Sequence, residues 1–303
     1  MGVGDRADLD ERQDLDERQE LDERQDLGER HRASPQRPGA DSAGAASRAV
    51  IWHDLECGGY RADLALWLEL AARGGVGSRI LDVGAGTGRV TLVLAGAGHR
   101  VTALDLDRDL LEELARRAGG ANVEVICADA RSFSLAGDDF DACFIPMQTI
   151  QLLGDPRARL AFLRSARAHV RPGGLIACAI VTAVEAFDCS NGQLGPAPET
   201  AVRAGALYVS RPTRVAVEPE RVVIERERRI VPIGVDGSEP DPGAIAAHTR
   251  EEAFSEQNVT ELAMVSAAEL RDEGIEAGLS PLETLTISPT AEHVGSEVVV
   301  FGV

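Results

Sequence analysis

A short apolar strand, Arg79-Ile-Leu-Asp-Val83, runs directly into Gly84-Ala-Gly-Thr-Gly88 and then into a helical stretch, Val90–Ala97. No other feature of the chain constrains its fold as much. Glycines let the backbone turn tightly and approach a ligand closely, and the helix that follows offers unpaired N–H groups to an anion. Such a turn alone is common to every dinucleotide-binding fold, and it also occurs with no ligand at all. The rest of the chain narrows the choice. His99–Leu104, Val123–Cys127, Phe140–Ile145 and, after Pro172-Gly-Gly174, Leu175–Val181 read as further strands, with helices at Leu110–Arg117 and Arg157–Val170. Strands alternating with helices at this spacing predict an α/β protein with a parallel, doubly wound sheet.

The alternation defines a core over residues 49–181, in which a helix near Tyr60–Arg73 that stops at Gly74-Gly75 comes before the first strand. Residues 182–265 break the rhythm. Two β-rich stretches, Ala206–Val217 and Arg221–Val231, flank Glu218-Pro-Glu220 and predict an antiparallel hairpin inserted into the α/β domain. Residues 266–303 return to the core as a helix at Ala267–Ala277 and two strands, the last at Glu297–Phe301. Residues 1–48 differ in kind. A hexapeptide recurs there and places Leu9, Leu15, Leu21 and Leu27 six residues apart, so successive leucines make no helical stripe and no coiled-coil seam. That segment reads as a disordered, low-complexity extension.

Composition removes several function classes. Acidic residues outnumber basic ones 50 to 31, for a net charge of −19, which argues against a nucleic-acid partner. There is no lysine, which excludes a Walker A loop, a Schiff-base lysine and a kinase strand lysine. The five cysteines, Cys57, Cys127, Cys143, Cys178 and Cys189, form no CxxC pair. Three of them fall in apolar runs that read as central strands, the environment of a small hydrophobe in a reducing compartment. No apolar run reaches the roughly 20 residues of a membrane span, and no secretory h-region is present, so a cytoplasmic protein with no membrane partner is expected. The histidines show no HxH or HExxH spacing, and no metal site is expected.

Three acidic or irregular loops follow at the carboxyl ends of successive strands, the edge at which open α/β sheets bind ligands. Asp105 ends the second strand seventeen residues after Gly88, where a carboxylate can accept both hydroxyls of a ribose. Asp129-Ala130 follows the third, where a carboxylate can take an adenine amino group. Ile145-Pro-Met-Gln148 closes the fourth with irregular backbone suited to a ligand's amino-acid end.

In these motifs, residues 79–181 resemble the core of the class I S-adenosylmethionine-dependent methyltransferases. Asp82-Val-Gly-Ala-Gly-Thr-Gly-Arg89 is similar to the family's first motif, Phe140-Asp141 to its fourth-strand motif, and Arg171-Pro-Gly-Gly174 to its turn before strand five. The resemblance implies a Rossmann-like seven-stranded sheet of order 3-2-1-4-5-7-6 with the last strand antiparallel, an element that nicotinamide dehydrogenases lack. It implies S-adenosyl-L-methionine as cofactor and S-adenosyl-L-homocysteine as product, held by Tyr60, Asp82, Gly84, Ala85, Gly86, Gly88, Asp105, Leu106, Asp129, Ala130, Pro146 and Met147. Asp82 would help to hold the amino group, and Tyr60-Arg61 are placed like residues that fold over the cofactor carboxylate. The fourth-strand motif is not the Asn/Asp-Pro-Pro-Tyr of enzymes that methylate amides or bases, which again points to a small-molecule acceptor. The insertion resembles the lid of sugar N-methyltransferases.

The expected activity is therefore methyl transfer to oxygen, nitrogen or carbon of a small metabolite, of the kind found in secondary metabolism. Methyl transfer is an in-line displacement, for which the protein supplies alignment and desolvation. A base is needed only where the acceptor must lose a proton. His293, in the turn Ser288–Glu297 at the carboxyl edge, and His53, in Trp52-His-Asp54, are the candidate catalytic bases, with His248 a third. The acceptor pocket is expected between the insertion, the Trp52–Tyr60 segment and the His293 turn. A homodimer formed through the insertion is the competing use of that segment. Two other readings keep the fold: a non-methylating enzyme that transfers the aminocarboxypropyl group or uses the cofactor to shape a pocket, and a non-catalytic binding protein.

Overall fold

In the computed structural model the described residues are 47–135, 139–233, 254–291 and 293–303. The hexapeptide repeat and His248 lie outside them.

Seven strands make the main sheet: β1 (Arg79–Val83), β2 (Arg100–Asp105), β3 (Val123–Cys127), β4 (Phe140–Ile145), β5 (Val170–Ile180) and, after an insertion that holds β6 to β10, β11 (Ser280–Ile287) and β12 (Ser296–Gly302). Their order is β3-β2-β1-β4-β5-β12-β11. β1 pairs in parallel with β2 and β4, β4 with β5, while β12 runs antiparallel to both β5 and β11. This is the expected order. Buried on both faces, the central strands are nearly continuous apolar runs: Ile80 and Leu81, Phe144 and Ile145, Ile176 and Val299 are fully enclosed. Cys143 and Cys178 are buried in those strands, as their apolar neighbours imply. Cys127 is not, because β3 is the sheet edge and leaves it exposed.

The helices between strands begin and end on local signals. In α4 (Arg108–Ala118) the Asp107 carboxylate caps the first turn by accepting from Asp109 N and Leu110 N, and Gly119 terminates it in the left-handed conformation. In α6 (Pro156–His169) Asp155 caps and Pro156 opens the first turn, while α7 (Ala267–Glu276) starts with a Ser266–Glu269 capping box. The other helices are α1 (Arg48–Glu56), α2 (Leu64–Ala72), α3 (Thr91–Gly96) and α5 (Thr149–Leu152). α1 was not apparent in the sequence. Its amphipathic pattern is weak, and it is held instead by the Ser47 cap and by contacts made with Trp52, Asp54 and Glu56.

The insertion forms a second, antiparallel sheet: β6 (Phe187–Asp188), β7 (Glu199–Arg203), β8 (Ala206–Val217), β9 (Arg221–Pro232) and β10 (Phe254–Ala263). The predicted hairpin is β8 and β9, but it is the middle of a sheet of order β10-β9-β8-β6, with β7 also paired to β8. β7 turns into β8 through Ala204 and Gly205, both at positive φ. β10 escaped the sequence pattern because only Phe254, Val259, Leu262 and Ala263 are apolar in it. Its strand state comes from a ten-residue register with β9 rather than from its own alternation. At the base of the insertion the buried Gln151 on α5 joins both ends. Its Oε1 accepts from Val181 N at 2.8 Å, and its Nε2 donates to the carbonyls of Val181 at 3.1 Å and Ala263 at 2.9 Å. Among the described residues no helix is long and apolar enough to cross a membrane.

Candidate active site

The carboxyl ends of β1, β2, β3 and β4 surround a cavity of about 520 Å³. The glycine turn is its floor. Gly84 N and Ala85 N both donate to Leu104 O, so the turn is stitched to the end of β2. Gly86 N donates to Asp105 Oδ2 at 2.8 Å, and Asp107 N donates to Oδ1 at 2.9 Å, which fixes the Asp105 carboxylate at the cavity wall. Gly84 and Gly86 adopt positive φ, and each lacks room for a side chain. A Cβ on Gly84 would collide with Thr149, and one on Gly86 with the ring of His53.

Asp82 sits behind this floor, fully buried. Thr91 Oγ1 donates to its Oδ2 at 2.5 Å, while Oδ1 has no partner among the described residues. Burial pushes its pKa up to about 6, against the opposing pull of the Thr91 hydroxyl and the Arg89 guanidinium. An ionisable oxygen left without a donor in a cavity wall is the kind of group that a cationic ligand satisfies.

Asp82, Gly84, Ala85, Asp105, Leu106, Asp129, Ala130, Pro146, Met147 and His53 all line the cavity. Two features differ from the expected picture. Asp129 is not free: Arg131 Nε and Nη2 hold both of its oxygens, in a pair exposed enough to exchange with solvent. Met147 has φ of +56°, a left-handed backbone that a non-glycine residue adopts only when its surroundings enforce it. Here Thr149 Oγ1 bonds Pro146 O at 3.0 Å and braces the turn.

His53 lies against the glycine turn, with Nδ1 3.3 Å from Thr87 Oγ1. Burial lowers its pKa, partly offset by Asp105 and Asp54, so the ring is neutral near pH 7. Thr87 Oγ1 donates to Asp54 Oδ1 at 2.7 Å, and Arg117 from α4 grips the same carboxylate. Burial alone would raise the Asp54 pKa, but the bonds from Arg117 and Thr87 outweigh it and hold the carboxyl below its ordinary range. His53 therefore packs beside Gly86 and Asp105.

Tyr60 and His293 stand one layer back. Neither lines the cavity, and nor do Gly86 and Gly88. The Tyr60 ring lies under the Arg89 guanidinium at 5.2 Å and meets the His293 ring at 4.9 Å. Its hydroxyl is buried without a partner among the described residues. Arg61, paired with Tyr60 in the sequence reading, is exposed and outside the cavity wall. Arg89 lines the cavity nearby. Its importance was hidden because its partner, Asp63, is 26 residues away in sequence and no local pattern links the two. Cys57 and Thr149 also line the wall without having been singled out in the sequence, while Gln148 lines it with the rest of the fourth-strand loop.

Residues 80–174 match a family profile described as a methyltransferase domain. The strand order is that of the class I methyltransferase fold, and the matched stretch lies within it. Among curated relatives, the domain is 34% identical over 98 residues to the cypemycin N-terminal methyltransferase of a Streptomyces species, covering 32% of this chain and 40% of the relative. It is 39% identical over 101 residues to a demethylmenaquinone methyltransferase of Clavibacter sepedonicus, covering 33% and 40%. The matched stretch thus spans about 40% of the length of these relatives. Solved structures are similar over nearly the whole chain. The sugar N-methyltransferase KedS8 of Streptoalloteichus aligns with TM-score 0.62 at 16% identity, covering 90% of this chain and 98% of that one. CalS10, an amino pentose methyltransferase of Micromonospora echinaspora, aligns with TM-score 0.58 at 17% identity over 88% and 99%. At such identities the likeness is one of fold. It includes the second sheet as well as the methyltransferase domain.

Proposed function

We propose that this chain transfers a methyl group from S-adenosylmethionine to a small metabolite. The observation that carries the reading is the cavity floor: the glycine turn, the oriented Asp105 carboxylate and the unpartnered Asp82 oxygen occur together at one sheet edge. These groups fit the proposed cofactor. Asp105 presents a fixed carboxylate to a ribose, Asp82 offers a buried acceptor to an α-ammonium, and Asp129 lies where an adenine amino group would compete with Arg131. The cofactor, when bound, supplies an electrophilic methyl on a sulfonium. The protein's own contribution is alignment and exclusion of water.

For the acceptor, an amine borne by a sugar or peptide is the class best supported. The structural relatives named above are a sugar N-methyltransferase and an amino pentose methyltransferase, and the curated relative from Streptomyces is a cypemycin N-terminal methyltransferase. We read the second sheet as a lid and place the acceptor pocket between it, the Trp52–Tyr60 segment and the turn bearing His293. His293, whose ring packs against that of Tyr60, is the proton acceptor proposed for an ammonium acceptor. His53, packed on the glycine turn near Asp105, is assigned a role in holding that turn.

Calorimetry with S-adenosylhomocysteine tests the cofactor half. Asp105→Ala should weaken binding by about 1.5–3 kcal/mol for each lost charge-assisted bond. Because Asp82 ionises near pH 6, affinity for the ammonium-bearing ligand should be full above that pH and fall below it, and Asp82→Asn should abolish the dependence. Release of S-adenosylhomocysteine on incubation with a panel of aminosugars and small amines tests the acceptor half. Unchanged affinity in the Asp105 variant would refute the ribose assignment, and release with hydroxyl acceptors alone would refute the amine.

A further inference from the structure

We infer that Thr87, Asp54 and Arg117 form a relay that holds His53 as its Nδ1–H tautomer, so that Nε2 stands in the cavity wall as a neutral acceptor for a sugar hydroxyl. The inference goes beyond the turn-holding role given to His53 above, and its ligand half rests on the cofactor and aminosugar reading.

The tautomer follows from counting hydrogens. Asp54 is ionised, because the bonds from Arg117 and Thr87 outweigh its burial, and a carboxylate can only accept. The Thr87 hydroxyl has a single hydrogen, which is spent on Asp54 Oδ1 at 2.7 Å. Towards the imidazole, 3.3 Å away, Thr87 Oγ1 therefore offers lone pairs alone, and Nδ1 must carry the ring hydrogen and donate it. Arg117 keeps the arrangement from reversing. Its Nη1 donates to Asp54 Oδ1 at 2.9 Å and its Nη2 to Oδ2, while its Nε is anchored on Glu113 Oε1 at 2.7 Å. Asp54 cannot turn from Thr87 without breaking that pair. Thr87, Asp54 and Arg117 are thus positioning residues, brought together from the glycine turn, α1 and α4.

In the neutral ring Nε2 holds a lone pair. It has no partner among the described residues, yet it is not sealed as Asp82 Oδ1 and the Tyr60 hydroxyl are, and its ring lines the cavity. The Nε2–Cε1 edge lies over Gly86: a Cβ there would come within 2.3 Å of Nε2 and 2.4 Å of Cε1. Gly86 N in turn donates to Asp105 Oδ2 at 2.8 Å. Two acceptors, an imidazole nitrogen and a carboxylate, therefore flank one glycine in the cavity wall. Such a pair is complementary to a group that carries several hydroxyl hydrogens close together, which is what a sugar ring offers. The ring could belong to the cofactor's ribose or to an acceptor sugar, and the test separates the two.

The test reads the imidazole directly by nitrogen NMR on the full chain, isotopically labelled at its histidines, with His53 assigned by the signals lost in His53→Gln. Without ligand, wild type should show a pyrrole-type Nδ1 and a pyridine-type Nε2. Thr87→Val should release the ring to the Nε2–H form that a free imidazole favours, and Thr87→Ser should restore the wild-type pattern. An Nε2–H ring in wild type would overturn the relay, and with no ligand present that result is independent of the cofactor reading. Should Thr87→Val not fold, the wild-type spectrum decides by itself. Added S-adenosylhomocysteine should move Nε2 upfield where the hydroxyl is the ribose's. A shift that comes only when D-glucosamine joins that complex places the hydroxyl on the acceptor. In the ribose case, calorimetry on His53→Phe should show S-adenosylhomocysteine weakened roughly three- to tenfold, with the 2′- or 3′-deoxy analogue that lacks the bonded hydroxyl held within about twofold. An Nε2 signal moved by neither ligand, although S-adenosylhomocysteine binds, would overturn the hydroxyl assignment and leave the cofactor reading standing. No binding of S-adenosylhomocysteine at all would overturn the cofactor reading and the ligand half of this inference with it.

Discussion

The two sheets of this molecule solve the same problem, a stable array of strands, by opposite means. In the main sheet the central strands β4 and β5 are enclosed almost end to end, and polar groups collect at one edge where the loops meet the cavity. In the inserted sheet most positions are only half-buried, and charge is distributed along the strands. β9 reads Arg-Val-Val-Ile-Glu-Arg-Glu-Arg-Arg, and its arginines pair with Glu56, Glu199, Glu218, Glu256 and Glu261. The first arrangement draws stability from apolar burial and confines chemistry to loops. The second depends on pairs whose partners lie on other elements, and it places charged groups where a polar ligand could meet them. One sheet is specified by what it excludes and the other by what it matches.

Three substitutions can break or sharpen that contrast. The largest effect is expected in the main sheet. Phe144 is fully buried against Trp67, with ring centroids 5.3 Å apart, and Phe144→Ala should destabilise by about 3–5 kcal/mol in chemical denaturation. A loss comparable to that of an exposed site would mean that the core is not the main source of stability. An intermediate effect is expected where the two regions meet. Glu56 on α1 accepts from Arg228 Nε and Nη2 and from Ser210 Oγ, and Glu56→Gln should cost about 2 kcal/mol while leaving affinity for S-adenosylhomocysteine unchanged. Burial would raise the Glu56 pKa, but Arg228 and Ser210 outweigh it and hold it below its usual value. Its contribution is therefore complete above the unfolded value of about 4.3 and is lost as pH falls through the depressed folded value, so the gap between wild type and variant should close on acidification. A gap that widens instead would show the pair to be misassigned. The smallest effect belongs to the rim of the inserted sheet. Arg221 is half exposed and pairs with Glu218 and Glu261, and Arg221→Ala should change stability by under about 0.5 kcal/mol. A larger loss would make the insertion a cooperative ion-pair network rather than a set of independent pairs.

The same contrast explains what could be read from the chain alone. A strand buried on both faces must be apolar throughout, so β1, β4 and β5 announce themselves, and the glycine turn and Asp105 follow at fixed distances along the chain. A strand held by cross-strand charge need not look like one. β10 carries Ser255, Glu256, Gln257 and Asn258 in succession, and only its register with β9 makes it a strand. Cavity residues show the same division. Those in the loops of the parallel sheet were legible because the fold fixes where such loops end. Arg89 with Asp63, and Asp54 with Arg117, were not, because each pair joins segments distant in sequence. Tyr60 and Arg61, read together from the sequence, differ for a related reason: neighbours on a turn point in different directions, and Tyr60 is buried while Arg61 is exposed.

Gln151 gives the insertion a further property. One buried amide clasps the backbone at Val181, where the second sheet departs, and at Ala263, where it returns. The exit and entry points are therefore set by a residue of the methyltransferase domain, not by the strands between them. Any segment whose two ends satisfy that amide can be seated there without disturbing β5 or α7, and the entropy of closing a longer or shorter loop changes only slowly with its length. The arrangement is a socket. It makes the region proposed to meet the acceptor exchangeable as a cassette, so that new acceptor preferences can be grafted onto an unaltered platform.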